Sequence, residues 1–146
     1  MRAKALLILA AAILAACGRP VVVESFVGAA DAPEGVYSFS ADMTDSLSVY
    51  DISFYTRIDA RRSRAESLDL RIVLAAPSGT VYSESAKMPL RPAKGGGYFS
   101  RTSLAKYRSG LRPVESGIWK IEIRVQDPPE GFRGFGLVTR RKDGTR

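Results

Sequence analysis

The sequence contains no histidine and a single cysteine, Cys17, among its 146 residues. Histidine is the commonest general base and metal ligand in proteins, and a disulfide within the chain would need a second cysteine. A catalytic thiol needs a neighbouring base and a folded pocket, whereas Cys17 follows a run of apolar residues. We therefore expect no catalytic residues, no metal site and no cofactor, and predict that the protein is not an enzyme.

Two other features that could carry chemistry have structural explanations. The run Gly95-Gly96-Gly97 lacks the Gly-Lys-Ser/Thr ending of a phosphate-binding loop and the strand-to-helix context of a dinucleotide site. Asp51 and Asp69 fall on the polar side of alternating segments, where solvated or cross-strand roles are expected. Neither feature supports catalysis.

The sequence also lacks an apolar run of about 20 residues, the length that crosses a membrane as a helix. Its apolar run, residues 5–16, is twelve residues long and follows Arg2 and Lys4, which is the order of a secretory signal. The following stretch, Leu14 to Cys17 and then Gly18, resembles the lipobox of bacterial lipoproteins. The resemblance implies cleavage before Cys17 and a lipid on its sulfur. A conventional signal with an incidental cysteine is the alternative.

This resemblance divides the chain into a signal peptide at 1–16, a lipidated N-terminus and tether at 17–35, and a domain at 36–146. The apolar run at Val21–Phe26 within the tether is an expected strand. Some bacteria retain lipoproteins in the inner membrane through an Asp after the lipidated Cys, and position 18 is Gly. Surface-exposed lipoproteins of Bacteroidota carry acids directly after that Cys, whereas the first acid here is Glu24. The resemblance thus implies an outer-membrane lipoprotein, anchored by its lipid and facing the periplasm.

Basic residues are concentrated in the second half of the chain. Residues 20–56 carry six acids and no Lys or Arg, whereas residues 57–146 carry 19 bases and nine acids. The densest basic segment has no acid within it and consists of Lys87, Arg91, Lys94, Arg101, Lys106, Arg108 and Arg112. Such a segment can contact an anionic partner, either lipid phosphate or another envelope protein. Nucleic acid is not expected for an exported protein, and solvated loop charges are the structural alternative.

The remaining pattern is alternation with period two, which is typical of half-buried strands. In each of three segments, alternate apolar residues share one face of the expected strand. These residues are Tyr50, Ile52, Phe54 and Ile58; Leu68, Leu70, Ile72 and Leu74; and Trp119, Ile121, Ile123 and Val125. Turn signals at residues 77–79 and 128–131 separate neighbouring segments. Seven or eight strands in this length predict two packed sheets, so we expect an all-β, antiparallel β-sandwich of jelly-roll type.

The basic segment itself has weak periodicity and several breakers. We expect residues 90–113 to form a long loop, with a short strand at 97–100 and a helical turn at 103–108. Its aromatic residues, Tyr98, Phe99 and Tyr107, could stack on a glycan if they cluster at the surface. Trp119 is expected in the core rather than at a ligand site.

The order of these segments resembles the GldH family of gliding-motility lipoproteins. The matching features are Cys17, Tyr50 with Arg57 in a long strand, the Pro77–Gly79 turn, and Gly117 with Trp119. The resemblance implies an accessory or structural lipoprotein of the Bacteroidota envelope, associated with gliding motility and the type IX secretion machinery. The loop at residues 95–110 departs from the family pattern, so no contact surface is carried over.

A second resemblance keeps a different class of function open. The stretches DLRIVLAAPSGT and SGIWKIEI are similar to the β-sandwich P domain of subtilisin-like proteases, which stabilises or recognises without catalysing. The alternative function is therefore a lipid-anchored module that binds a glycan or a protein ligand.

Overall fold

The computed structural model describes residues 21–91 and 99–144, which form eight strands. The strands are β1 (Val22–Gly28), β2 (Val36–Met43), β3 (Ser48–Asp59), β4 (Ser67–Ala75), β5 (Val81–Pro89), β6 (Ser100–Leu111), β7 (Gly117–Gln126) and β8 (Phe132–Asp143). Two short 3₁₀ turns, Ala29–Asp31 and Pro33–Gly35, connect β1 to β2. No helix within the described ranges is long and apolar enough to cross a membrane.

The strands form two antiparallel four-stranded sheets that pack as a sandwich. The first sheet has the order β1-β8-β3-β6 and the second has the order β2-β7-β4-β5. The pairs β1 with β8, β2 with β7, β3 with β6, and β4 with β5 are nested in sequence, which is the arrangement of a jelly roll. The predicted fold class, an antiparallel β-sandwich of jelly-roll type, is confirmed.

The core lies between the two sheets and is filled by the alternating side chains that the sequence indicates. β7 shows the simplest pattern, because every second residue from Trp119 to Val125 is buried and its neighbours are exposed. The predicted core residues are all at most 7% exposed, and they are Tyr50, Ile52, Phe54, Leu70, Ile72, Trp119, Ile121 and Ile123. Removing these apolar surfaces from water is the main stabilising contribution to the fold.

The folded part of the chain begins before the expected boundary at residue 36. β1 pairs with β8 along its full length, from Val22 opposite Arg140 to Gly28 opposite Gly134. As an edge strand with little buried surface, β1 lacks the alternation that revealed the inner strands. The chain therefore enters the first sheet five residues after Cys17, which itself lies outside the described residues.

The expected loop at residues 90–113 is wrong for residues 100–111, which form a strand. Residues Ser100–Leu111 form β6, a twelve-residue strand that pairs with β3, and the expected helical turn at 103–108 is part of it. β6 borders the first sheet, so its outward side is solvated and its apolar alternation is weak. Of the expected strand at 97–100, residues 97 and 98 lie outside the described residues, and Ser100 begins β6.

Antiparallel connections place the loops at two ends of the sandwich. One end carries the start of β1, the β2–β3 and β6–β7 loops, and the β4–β5 hairpin. The other end carries the β1–β2, β3–β4 and β7–β8 connections. The first end is the one nearest to Cys17 along the chain.

Candidate functional site

A cleft opens between the two sheets where their edge strands, β5 and β6, face each other. Its volume is about 350 Å³, within the range of small-molecule and peptide side-chain pockets. The residues that form its floor and walls are mainly apolar and include Ile52, Leu74, Tyr82, Tyr107, Trp119 and Ile121. The cleft is therefore a continuation of the core that reaches the surface.

Stacked aromatic rings form the two walls of the cleft. On the side of the second sheet, the Tyr82 ring stacks on Trp119 with a centroid separation of 6.1 Å and an interplanar angle of 27°. On the side of the first sheet, the Tyr107 ring stacks on Phe54 at 4.5 Å. The Trp119 indole N–H donates to the Glu115 carbonyl oxygen at 2.9 Å, which fixes the orientation of its ring. Each wall thus has a defined geometry.

A double irregularity in β6 turns two consecutive residues toward the cleft. Opposite β3, the register passes from Ser53–Lys106 to Ile52–Arg108, so Tyr107 is an extra residue in the ladder. A second shift follows between Arg108 and Leu111. Such β-bulges re-aim side chains and are common beside functional sites. Here the bulge allows both Tyr107 and Arg108 to line the cleft.

Asp51 holds this bulge from the neighbouring strand. Its Oδ1 accepts hydrogen bonds from the Ser109 hydroxyl at 3.0 Å and from the Gly110 backbone N–H at 2.8 Å. Its other carboxylate oxygen accepts from the Lys142 ammonium. The Lys142 hydrogen bond, followed by the Gly110 N–H, lowers the pKa of the buried Asp51 carboxyl to about 2. A charged Asp51 therefore links β3, β6 and β8 behind the cleft.

Glu84 on β5 connects the two edges across the mouth of the cleft. Both of its carboxylate oxygens accept from Arg108 Nη2 at 2.8 Å, and Oε1 also accepts from the Tyr107 hydroxyl. The Arg108 guanidinium lies 4.4 Å from the centroid of the Tyr107 ring. The Arg108 side chain is about half exposed, so this ion pair contributes roughly 0–1 kcal/mol to the free energy of unfolding. It orders the mouth of the cleft without closing it strongly.

The β4–β5 hairpin and the β6–β7 loop close one end of the cleft. The Glu115 carboxylate accepts from the Ser78 backbone N–H at 3.0 Å and from its hydroxyl at 2.7 Å. A Cβ on Gly117 would lie 2.6 Å from the Pro77 ring, so only glycine permits this approach. The Pro77–Gly79 turn and the Gly117–Trp119 pair, which the sequence presents as separate motifs, therefore meet at one place.

The structure does not gather the predicted basic residues into one patch. Arg108 and Arg112 line the cleft. Lys87 forms an exposed ion pair with Asp69 at 3.4 Å, and Lys106 lies beside Ser53 on the outer face of the first sheet. The closeness of these basic residues in the sequence therefore did not predict that they lie close together in the fold.

Arg101 and Arg91 lie toward the opposite end of the sandwich. Arg101 donates to the Ala65 carbonyl oxygen at 2.7 Å, which ties β6 to the β3–β4 loop. Arg91 is exposed just after β5. Lys94 falls outside the described residues, as does the predicted lipidation site Cys17.

The aromatic residues of the glycan hypothesis also lie apart. Phe99 precedes β6 and lies under the Arg61 guanidinium at 4.9 Å, whereas Tyr107 is eight residues further along the strand. Eight residues of strand span about 26 Å, so these two rings cannot contact one sugar together. Tyr98 lies outside the described residues. Sequence reasoning missed Tyr82, whose position beside Trp119 depends on the pairing of β5 with β4.

Two further carboxylates, those of Asp45 and Asp59, accept structural hydrogen bonds. The Ser48 hydroxyl lowers the pKa of Asp45, and the Arg61 backbone N–H lowers the pKa of Asp59. Within residues 21–91 and 99–144, no group of three or more His, Cys, Asp or Glu side chains could hold a metal ion.

The comparisons with known proteins show structural similarity only. No protein-family profile and no curated protein matches the sequence. Among solved structures, the chain is similar to TmCBM61 in complex with β-1,4-galactotriose, with 12% identity, a TM-score of 0.32, and coverage of 84% of this chain and 70% of that one. It is also similar to CBM28, a carbohydrate-binding module specific for non-crystalline cellulose, with 14% identity, a TM-score of 0.40, and coverage of 84% and 73%. At these TM-scores, neither likeness indicates what this chain binds.

Proposed function

We propose that this protein is a non-enzymatic lipoprotein of the cell envelope, which is anchored to the outer membrane by Cys17 and acts by binding a partner in the cleft between β5 and β6. The resemblance to the GldH family supports a role as an accessory or structural component associated with the gliding-motility and type IX secretion machinery. The observation that carries the proposal is the aromatic cleft, in which Tyr82, Trp119 and Tyr107 surround an opening into the core.

The properties of the carboxylates support binding rather than acid–base catalysis. A general acid at neutral pH needs a carboxyl whose pKa is raised, as happens in an apolar site. Hydrogen bonds instead lower the pKa values of Asp45, Asp51 and Asp59. Such groups stay charged and serve as fixed acceptors.

Capture of partners from crosslinked membranes tests the proposal. A tagged full-length chain should retain a defined set of envelope proteins, and Tyr82→Ala should reduce their recovery at least fivefold. Tyr82 is 44% exposed, so its truncation leaves most of the core intact. Leu104→Ala is the matched control, because Leu104 is 55% exposed on the outer face of β6 and away from the cleft. Recovery that does not depend on Tyr82 would contradict the proposal.

A lipid-anchored module that binds glycans is the second candidate, and the exposed Tyr82 ring stacked on Trp119 favours it. Flat aromatic faces combined with a few polar groups are suited to a sugar ring. Neutral oligosaccharides that change the fluorescence of Trp119, the single tryptophan of the chain, would support this candidate. Envelope proteins recovered in a Tyr82-dependent manner would favour the first candidate instead.

A further inference from the structure

We propose that the end of the sandwich nearest to Cys17 is a membrane-contact surface, on which the exposed tips of the β2–β3 and β6–β7 loops enter the interface of a lipid bilayer. We call this surface the tether end, and it consists of residues 21–23, 44–47, 76–82 and 112–118. The inference rests on the proposed anchor at Cys17, and it adds a second contact with the same membrane, made by the folded domain itself.

Exposed apolar side chains are concentrated at the tether end. Eight of the ten large apolar side chains that are exposed among the described residues belong to it, and they are Val21, Val22, Val23, Leu47, Val81, Tyr82, Val114 and Ile118. The other two are Phe99, which lies under the Arg61 guanidinium, and Leu104 within β6. Leu47 and Val114 are each 78% exposed, the largest values in this set. Exposed apolar residues that are grouped in this way mark an interaction surface.

The loops at the opposite end have the reverse composition. The connections that are fully described there are residues 29–35, 60–66 and 127–131, and they carry five acids, three bases and no Val, Leu, Ile, Met or aromatic residue. The loops of the tether end, residues 44–47, 76–80 and 112–116, carry two acids and one base. Charged groups are costly to remove from water, so the tether end is the one suited to a bilayer interface.

Both acids in the tether-end loops have hydrogen-bond partners within the protein. The Asp45 carboxylate accepts from the Leu47 backbone N–H at 3.0 Å and from the Ser48 hydroxyl at 2.8 Å. The Glu115 carboxylate accepts from the Ser78 backbone N–H at 3.0 Å and from its hydroxyl at 2.7 Å. These bonds reduce the cost of bringing the two carboxylates toward lipid headgroups.

The loops of the tether end are joined into one surface. A Cβ added to Gly144 would meet both the Leu47 carbonyl oxygen and the Arg112 guanidinium, so the β2–β3 and β6–β7 loops meet at the end of β8. The Glu115–Ser78 hydrogen bonds join the β6–β7 loop to the β4–β5 hairpin. Leu47 and Val114 are therefore presented by loops that support each other.

The connection to Cys17 indicates what covers this surface. Val22 is the fifth residue after Cys17, so a lipid on Cys17 keeps Val22 within about 18 Å of the bilayer. The apolar tips lie at the same end of the sandwich as Val22. Proteins bind membrane interfaces by burying apolar side chains at the boundary between headgroups and acyl chains. The bilayer that holds the lipid is therefore the partner that this surface meets first.

The charges at this end favour contact through the apolar tips rather than through anionic lipid. The bases at or beside the tether end are Arg112, Lys120, Arg140, Arg141 and Lys142, and the acids are Asp42, Asp45, Asp51, Glu115 and Asp143. The two sets are equal in number, so there is no positive excess to attract anionic headgroups. A zwitterionic bilayer should be sufficient, with little dependence on salt.

Fluorescence of the protein purified from membranes and reconstituted into vesicles tests the inference. Ser46→Cys places an NBD fluorophore beside Leu47, and Glu130→Cys places one at the opposite end, where the Glu130 side chain is 76% exposed. Phosphatidylcholine vesicles with nitroxide-labelled acyl chains should quench the label at position 46 and shield it from aqueous iodide. The label at position 130 should show the opposite behaviour. The parent protein, treated with the same fluorophore, measures any contribution from Cys17.

A matched pair of leucine substitutions tests the role of the loop tip. Leu47→Ser in the Ser46→Cys protein should lower the ratio of quenched to unquenched label about tenfold, because one leucine less is removed from water. Leu104→Ser is the control, since Leu104 is 55% exposed on the outer face of β6, and it should leave this ratio unchanged. Vesicles that also contain anionic phosphatidylglycerol should quench the label at position 46 to the same extent, within about twofold.

Several results would overturn the inference while leaving the anchor at Cys17 in place. They are equal quenching at positions 46 and 130, and a label at position 46 that stays open to iodide in protein that floats with the vesicles. Quenching that requires phosphatidylglycerol would exclude contact through apolar tips. Concentration-dependent shielding of position 46 without vesicles would assign the surface to a second copy of the chain.

Two further results separate this inference from the proposed function. Protein that does not float with vesicles would contradict both the anchor and the membrane-contact surface. Partner capture that does not depend on Tyr82 would contradict the proposed function of the cleft, whereas quenching at position 46 would still support the contact of the tether end with the bilayer.

Discussion

Gly117 approaches the ring of Pro77 so closely that a Cβ at position 117 would lie 2.6 Å from Pro77 Cγ and 2.9 Å from its Cβ. Gly117 also has a φ of +143°, a conformation that favours glycine. This contact joins the start of β7 to the β4–β5 hairpin and closes one end of the cleft. The contact explains why position 117 is glycine and why Pro77 lies beside it, which neither sequence motif shows by itself.

Gly117→Ala should therefore destabilise the protein by about 2–4 kcal/mol, combining unfavourable backbone conformation with the clash against Pro77. Gly79→Ala is the matched control, because Gly79 has a φ of +92° but nothing within 4 Å of its Cβ position. It should cost about 1–2 kcal/mol from the backbone term alone. Urea denaturation measures the free energy of unfolding of both variants. Equal effects of the two substitutions would show that the Pro77 contact is not restrictive.

Asp51 should make stability depend on acid pH. Its pKa of about 2 lies below the ordinary value of about 3.9, so its stabilising contribution is complete above about pH 5 and is lost as the pH falls through about 2. Asp51→Asn should lower stability at pH 7 by about 1.5–3 kcal/mol, because hydrogen bonds to a charged acceptor are lost. The variant should then lose less stability than the parent between pH 5 and pH 2.

Denaturation midpoints at several pH values test this expectation, with Asp69→Asn as the control. Asp69 is an exposed partner of Lys87, and surface pairs of this kind contribute about 0–1 kcal/mol. Parallel pH profiles for the parent and Asp51→Asn would contradict the assigned role of Asp51.

The inner strands were predictable because burial on one face imposes alternation. β4 and β7 each have a strand on both sides, and Leu70, Ile72, Ile121 and Ile123 all fall on the predicted face. β6 was not predictable for two physical reasons. It has a solvated edge, and its bulge places Tyr107 and Arg108 on the cleft side in succession, which breaks period two.

The cleft could not be predicted from spacing because its residues are distant in sequence. Tyr82 and Trp119 meet because β5, β4 and β7 are adjacent in the second sheet, and Asp51 reaches Gly110 because β3 pairs with β6. Period-two patterns determine which face of a strand is buried, but they do not determine strand order. The sequence could indicate Trp119 as a core residue, which is correct, without showing that it borders an opening.

The outer face of the first sheet offers a separate test at Gly136. The Tyr55 ring lies over this glycine, and a Cβ there would come within 2.2 Å of the ring. Burial, followed by a hydrogen bond from its hydroxyl to Glu24, raises the pKa of Tyr55 to about 12. Gly136→Ala should displace the ring, lower the pKa of Tyr55 toward 10, and destabilise the protein by about 1–3 kcal/mol.

Ultraviolet titration of the phenol, with Tyr55→Phe to identify its contribution, measures the pKa. Because a raised pKa stabilises the neutral form, the stability due to Tyr55 is present below about pH 10 and is lost as the pH rises through about 12. Leu47→Ala, in the β2–β3 loop and 78% exposed, should change neither quantity. An unchanged Tyr55 titration in Gly136→Ala would show that the ring is not held by this contact.

The last prediction concerns Cys17 and the short connection to β1. Val22 is the fifth residue after Cys17, and an extended chain of that length spans at most about 18 Å. The connection from Cys17 to the first sheet is therefore shorter than the tether at residues 17–35 expected from the sequence. Lipid at Cys17 would therefore hold the end of the sandwich that carries the β4–β5 hairpin close to the membrane. Cys17→Ser should release an unprocessed or soluble form, because two or three acyl chains at about 0.8 kcal/mol per CH₂ provide the attachment.

Fractionation of cells that express Cys17→Ser, with Ser25→Ala as a processed control within β1, measures the attachment. A variant that is normally cleaved and remains with membranes would exclude lipidation at Cys17. Proteinase added to intact cells then tests orientation: the domain should resist digestion until the outer membrane is permeabilised, because no acid precedes Glu24 in the segment after Cys17. Digestion without permeabilisation would place the domain on the cell surface.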